Sequence, residues 1–154
     1  MTHHIRNSAK AIIIQNGCLL VIRKSSLSDS YAVLPGGGQK KFETLPQALK
    51  RECLEEINAK VEVGELRFLR EYLSDRHEFA DEDRHVHQVE FFFSCSLKAP
   101  YRPSQGQAPD PGQQEVIWVP LDELEQVNLY PKAVIPLLRD HGQSGQPIYL
   151  GDVN

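Results

Sequence analysis

Positive charge is not in surplus: 17 Lys and Arg stand against 21 Asp and Glu in 154 residues, a net charge of −4. That balance gives no general attraction to a nucleic-acid backbone or an anionic membrane, so stable nucleic-acid binding is not expected. A phosphate ligand would have to be met locally, by a few cations or by a metal. Cysteine is scarce too. Cys18, Cys53 and Cys95 lie far apart and form no Cys-x-x-Cys pair, which leaves reduced core thiols in a cytoplasmic protein as the default. Long apolar runs are missing: none approaches the ~18 residues of a membrane span, and "MTHHIRNSAK" has no apolar leader core. The expectation is a cytoplasmic protein with no membrane partner.

What is present suits one domain over residues 1–154, since cores of about 100–150 residues are self-sufficient. "AIIIQNGCLLVIRK" predicts two strands around an Asn16-Gly17 hairpin turn. "YAVL" predicts a short strand ending at Pro35. Thr44, with Pro46 behind it and Gln47 three residues on, predicts a helix N-terminus with a capping box, running to about Ile57 and closed by Asn58. "AKVEVGELRFLREYL" and "HVHQVEFFFSCSL" predict long strands, which would place His85 and His87 on one strand face as ordinary histidines. Residues 98–114, rich in Pro, Gly and Gln, predict a flexible connection. "EVIWVPL" predicts a strand, "PKAVIPLLRDHG" a C-terminal helix stopped by Gly142, and "PIYL" an edge strand. Tyr31, Phe91, Phe93 and Trp118 are expected in the core, with one free to stack on a base. Strands and helices in mixed order argue for a mixed sheet between helical layers, an α/β (α+β) class.

The predicted helix carries Glu52, Glu55 and Glu56. At about 100° per residue, Glu56 falls near 40° and Glu55 near −60° from Glu52, so the three share a sector beside the apolar stripe Leu45, Leu49, Cys53 and Ile57. Such acids repel: a like pair ~4 Å apart costs on the order of 4 kcal/mol at an effective dielectric near 20. A hard divalent cation such as Mg²⁺ would turn that cost into binding. Taken alone, a short acidic pattern is more often a solvated helix face offset by Lys50 and Arg51.

The flanking residues change the weighting. From Gly37 the chain reads five residues to Glu43, seven more to Arg51-Glu52-Cys53, then one to Glu55-Glu56 and one to Asn58-Ala59. This resembles the Nudix box, the signature of Nudix (MutT-like) hydrolases. Gly37, Glu43, Arg51, Glu52, Glu55 and Glu56 all match, a coincidence of roughly 10⁻⁷ per starting position at ordinary residue frequencies. Asn58 stands where the pattern ends in glycine, and Cys53 fills its apolar position. Asn tolerates the left-handed conformation best after Gly, and Cys packs as a small hydrophobe.

The resemblance implies a Nudix-type mixed β-sheet sandwiched between α-helices. It also implies Mg²⁺- or Mn²⁺-dependent cleavage of a nucleoside diphosphate linked to another group, such as a nucleoside triphosphate or ADP-ribose. Glu52, Glu55 and Glu56 would be metal ligands, one of them also the base. Glu43 would orient Arg51 or assist a water, and Arg51 would pin carboxylates. Glu115 stands where family members often place a further acidic ligand, and is otherwise a strand-edge acid. Gly36, Gly37 and Gly38 either admit a ligand's close approach or form a plain turn. Arg23 reaches a phosphate or is a surface arginine; Glu90 faces the substrate cleft or solvent. A non-catalytic Nudix-fold module binding a nucleotide or protein is the alternative, and it would be expected to lack part of the Arg-Glu…Glu-Glu set. An EF-hand-type calcium protein falls behind for want of an Asp-rich loop. Substrate choice would lie in residues 25–30, 74–84 and 98–114, which carry no recognisable selecting motif, and a homodimer stays open.

Overall fold

Alternation of apolar side chains along the strands decides the architecture. In the computed structural model, which describes residues 4–26, 29–141 and 143–154, β1 (Ile5–Gln15) and β2 (Cys18–Ser25) form the expected hairpin, with Asn16 and Gly17 both at positive φ. Ala9, Ala11 and Ile13 of β1 and Leu20 and Ile22 of β2 join one core; Ile12, Leu19 and Val21 join the other. Period-two alternation thus feeds two cores, one on each face of the sheet.

The remaining strands are β3 (Ser30–Val33), β4 (Gly36–Gly38), β5 (Val61–Leu73), β6 (His87–Leu97), β7 (Gln113–Pro120), β8 (Leu129–Tyr130) and β9 (Tyr149–Asp152). Their order is β8-β3-β2-β1-β6-β5-β9, with β4 also on β1 and β7 also on β2. Pairs β1–β6, β3–β8 and β5–β9 are parallel and the rest antiparallel, a mixed, curled sheet. Helix α1 (Leu45–Ile57) covers one face through Leu49, Cys53 and Ile57. The other face packs Phe68 and Phe92, their rings 4.9 Å apart, under Leu124, Leu129, Val134, Ile135 and Leu138. Helical layers on both faces are what the mixed-sheet expectation required.

Three expectations change. His85 takes φ +57 in a turn ahead of β6, so only His87 is on the strand and the two share no face. The C-terminal helix is short, a 3-10 turn over Lys132–Val134 followed by α2 (Ile135–Arg139). Pro136 has no N–H to give, so it fits only the first turn and the α-helix starts at its doorstep. Gly142, the expected stop, lies outside the described residues. The 98–114 connection is not loose: the N–H groups of Gly106 and Ala108 donate to the carbonyls of Glu56 and Glu55, and the Tyr101 hydroxyl donates to that of Ile57 at 2.6 Å. A helix end leaves its last carbonyls without internal partners, and this segment supplies the donors.

The start of α1 is as expected. The Thr44 hydroxyl accepts from the Gln47 N–H and the Gln47 side chain accepts from the Thr44 N–H, while Asn58 closes the helix at φ 54. Thr44→Ala is expected to destabilise the protein by about 1 kcal/mol, read as a lower urea midpoint at unchanged slope.

Candidate active site

Three glycines form β4 between β1 and α1, and each lets a different neighbour come close: Gly36 the β1 backbone, Gly37 the helix acid Glu52, and Gly38 the Arg6 guanidinium. Gly36 has φ +135, and a Cβ there would collide with the Ala9 carbonyl; a Cβ on Gly37 would meet the Glu52 carboxylate at 2.6 Å. The Gly36 N–H donates to Glu56 Oε1 at 2.8 Å. This segment is therefore no turn but the short strand β4, paired with β1 and brought by Gly36 and Gly37 close to the helix acids.

Arg51 is the hub of those acids. Its Nε and one terminal nitrogen donate to the two oxygens of Glu43, both at 2.8 Å, and that nitrogen also donates to the Gly38 carbonyl at 3.0 Å. The other terminal nitrogen donates to Glu52 at 2.9 Å and to Glu55 at 3.3 Å. A planar fork fits a carboxylate with both prongs, which lysine cannot do. The Arg51 hydrogen bonds, with the Lys40 N–H, hold the Glu43 carboxyl down at about 2. The same contacts raise the Arg51 pKa.

Glu56 behaves differently. It is 1 % exposed, and burial, then the hydrogen-bonded Asp110 carboxyl, push it up to about 8. Asp110 is lowered: burial opposes its ionisation, but the bond from Glu56 and the nearby Lys24 and Lys10 outweigh it. Two carboxyls in hydrogen-bonding reach must share a proton. Asp110, the one acid in residues 98–114, was not picked out by the sequence reading; its isolation in that segment was the available signal.

The other candidates sit apart from this group. Glu115 lies opposite Arg23 across β2–β7 and pairs with it at 2.7 Å, both partly exposed. Glu90 is 4 % exposed on β6, accepting from Arg70 at 2.7 Å and Gln88 at 2.8 Å, with Lys10 4.0 Å away. Burial works against its ionisation, yet the facing Arg70 and Lys10 hold its pKa below the ordinary value. Lys10 also donates to the Gly36 carbonyl at 3.4 Å, so Glu90 reaches the glycine strand through one side chain.

A cavity of about 400 Å³ opens beside these groups, lined by Tyr31, Tyr72, Phe79 and Tyr130 together with Lys24 and Arg6. Tyr31 thus faces the cavity, where Phe91, Phe93 and Trp118 pack on the core below α1. Phe79 and Tyr130 meet edge to face at 5.2 Å, and the Tyr72 hydroxyl donates to Asp83 at 2.8 Å. Lys24 lines the cavity and pairs with Asp110 at 3.6 Å, joining an aromatic cleft to the helix acids.

Among the described residues no three His, Cys, Asp or Glu side chains converge so as to hold a metal ion. Arg51 spans Glu52 and Glu55, and Glu56 turns inward to Gly36 and Asp110. The donor chemistry nonetheless fits a hard dication. Glu52, Glu55, Glu56 and Asp110 offer carboxylate oxygen alone, and the proton that Glu56 and Asp110 share occupies a place where a cation would let both ionise.

Residues 4–139 match the NUDIX domain. Among solved structures, a NUDIX hydrolase from Nitrosomonas europaea is 21% identical with a TM-score of 0.72, over 100% of this chain and 81% of that one. An ADP-ribose pyrophosphatase from Streptococcus suis is 17% identical at 0.64, over 97% and 100%. A UDP-X diphosphatase is 19% identical at 0.71, over 99% and 69%. At these identities the likeness is one of fold. No curated protein matches the sequence.

A carboxyl whose folded-state pKa stands above its unfolded value of 4.5 binds an extra proton when folded, between 4.5 and about 8 for Glu56. Stability of the metal-free protein is therefore expected to fall as pH rises through that window, by at most on the order of 5 kcal/mol. Urea unfolding in EDTA at pH 5, 6.5 and 8 reads this, and Glu56→Gln should flatten the slope. An equally steep slope in the variant would count against the shared proton.

Proposed function

Since the chain belongs to the Nudix family of pyrophosphohydrolases, we propose that it hydrolyses the pyrophosphate bond of a nucleoside diphosphate joined to a further group, with Mg²⁺ or Mn²⁺ as its metal. The observation that carries this reading is the Lys24–Asp110–Glu56 chain, which connects an aromatic cavity of nucleoside size to the acids of α1. In the cavity, Tyr31, Phe79 and Tyr130 are suited to contact a base, because every base has a π-face and stacking tolerates any of them. Arg6 and Lys24 would draw the phosphates toward the glycine strand, supplying locally the positive charge that the chain lacks as a whole.

Glu52, Glu55 and Glu56 are the proposed metal ligands, with Asp110 rather than Glu115 as the acid that joins them. Bound Mg²⁺ or Mn²⁺ would lower the pKa of the attacking water and offset charge on the phosphates. Arg51 and Glu43 act on position: one terminal nitrogen of the guanidinium bonds both Glu52 and Glu55, and Glu43 holds the guanidinium by its other edge, where it also donates to the Gly38 carbonyl. One carboxylate of the set takes the proton from water.

The names ADP-ribose pyrophosphatase and UDP-X diphosphatase, carried by two structural neighbours, both describe a nucleoside diphosphate bearing something else, which supports that coarse substrate class here. Among the described residues no helix is long and apolar enough to cross a membrane. Cytoplasmic nucleotide pools are where the proposed activity would operate.

Glu56→Gln is expected to lower turnover at least about a hundredfold while the protein still unfolds cooperatively, because a proposed ligand is lost and the packing is kept. A phosphate-release screen over nucleoside triphosphates and nucleotide sugars, with Mg²⁺ and with EDTA, measures it. Turnover that survives EDTA, or an unimpaired variant, would refute the assignment.

A further inference from the structure

Residues 74–86 form a loop closed at its base, where the Ser74 N–H donates to the Val86 carbonyl and the Val86 N–H to the Ser74 hydroxyl, both at 2.9 Å. Compact surface loops whose ends meet in this way are frequently functional. This one walls the aromatic cavity with Phe79, Glu82, Asp83 and Val86. It carries five acids, Asp75, Glu78, Asp81, Glu82 and Asp83, against Arg76 and Arg84. An anionic ligand exerts no electrostatic pull on such a loop, and its own like charges push it open. Whatever keeps Phe79 over the cavity must come from the protein.

Strand β9 supplies it. Leu150 packs on the core, but Tyr149 and the preceding Ile148 stay exposed, so the strand adds little apolar burial. Gly151, at φ +78, breaks the register with β5, and such a bulge re-aims the residues that follow. Asp152 then accepts from the Leu73 N–H at 3.0 Å and lies 2.6 Å from His77 Nε2, while His77 stacks on Tyr72 at 5.5 Å. The Asn154 amide nitrogen donates to Glu78 at 3.1 Å, and its oxygen accepts from Arg70 at 3.1 Å. Arg70 also donates to the Val153 carbonyl at 2.6 Å, and both Arg70 and Asn154 line the cavity. Two successive loop residues, His77 and Glu78, are thus fastened to β9 and its continuation. The next residue is Phe79, its ring edge to face on Tyr130 at 5.2 Å.

We infer that Asp152 and Asn154 are positioning residues for the nucleoside: they latch the 74–86 loop, and Phe79 with it, against Tyr130 before the substrate arrives. This rests on the hydrolase reading above. Their partners are Leu73, His77, Glu78 and Arg70, none of them an acid of α1. The latch therefore acts on binding and leaves the chemical step alone. A site that is competent in only a fraction of molecules loses apparent affinity by that fraction. One hydrogen bond to a charged group shifts such an equilibrium by roughly a factor of ten or more. Asp152 and Asn154 accordingly set KM.

The test compares Asp152→Ala, Asp152→Asn and Asn154→Ala with the parent. Hydrogen exchange reads the loop without any ligand. Amides of residues 74–86 are expected to exchange about tenfold faster in Asp152→Ala, while those of β1 and β6 keep the parent's rate and show the sheet intact. Kinetics with Mg²⁺ use whichever of ATP, GTP, ADP-ribose and UDP-glucose the parent cleaves fastest. In Asp152→Ala its KM is expected to rise about tenfold, with kcat within about twofold. Asp152→Asn keeps an oxygen for the Leu73 N–H and for His77, and should return both exchange and KM towards the parent's values. Asn154→Ala should move both in the direction of Asp152→Ala, and it carries the same two readouts if Asp152→Ala does not fold. Unchanged exchange in the alanine variants, faster exchange with KM unmoved, or a fall in kcat at constant KM each overturns the latch and leaves the hydrolase reading standing. A parent that cleaves none of the four nucleotides overturns the hydrolase reading, and the kinetic role of the latch with it.

Discussion

A single guanidinium divided among three carboxylates is the constraint on which the candidate site depends. Glu52 and Glu55 lie on one sector of α1 and repel each other, and Glu43 comes from the loop before it. Arg51 bonds all three and the Gly38 carbonyl besides. Loop and helix are thereby tied at one point, and the glycine strand is drawn so close to α1 that Glu52 fills the space of a Gly37 side chain. Replacing Arg51 by lysine would keep the charge and lose the geometry, because a point charge cannot span separate acceptors in fixed directions.

Burial divides the helix acids into two kinds. Glu52 and Glu55, facing the guanidinium, retain solvent contact. Glu56 is enclosed by Gly36, Lys10 and Asp110, where holding a charge is costly and holding a proton is cheap. A dication competing for that proton couples metal binding to pH. The 98–114 segment takes part as well, since it caps α1 by backbone bonds and carries Asp110 into contact with Glu56. One stretch of loop thus finishes the helix and completes its acidic group.

Cations are few in this acidic molecule, and their placement matters more than their number. Lys24 pairs with Asp110 and Arg70 with Glu90, while Arg6, Lys40 and Lys41 form no ion pair among the described residues. Arg6 lies on β1, Lys24 on β2, and Lys40 and Lys41 in the loop ahead of α1, with Arg6 standing against Gly38 beside the box acids.

Local signals were strong enough to read from the chain itself. The Asn16-Gly17 hairpin, the Thr44–Gln47 capping box, the left-handed Asn58 and the box spacing each depend on residues a few positions apart, and a short peptide already has the stereochemistry that expresses them. Strands and helices in mixed order likewise announced a mixed sheet between helical layers. Tertiary structure decided what depends on residues distant in sequence. Asp110 reaches Glu56 across 54 positions, Glu90 finds Arg70 on a neighbouring strand, and Glu115 turns to Arg23 instead of the helix acids. Such pairings follow from strand register and from the route of a loop lacking periodicity, and neither is written in the spacing of the residues that meet. The short α2 is the intermediate case: Pro136 was visible all along, but only the packing of Ile135 and Leu138 shows how little helix the core needed there.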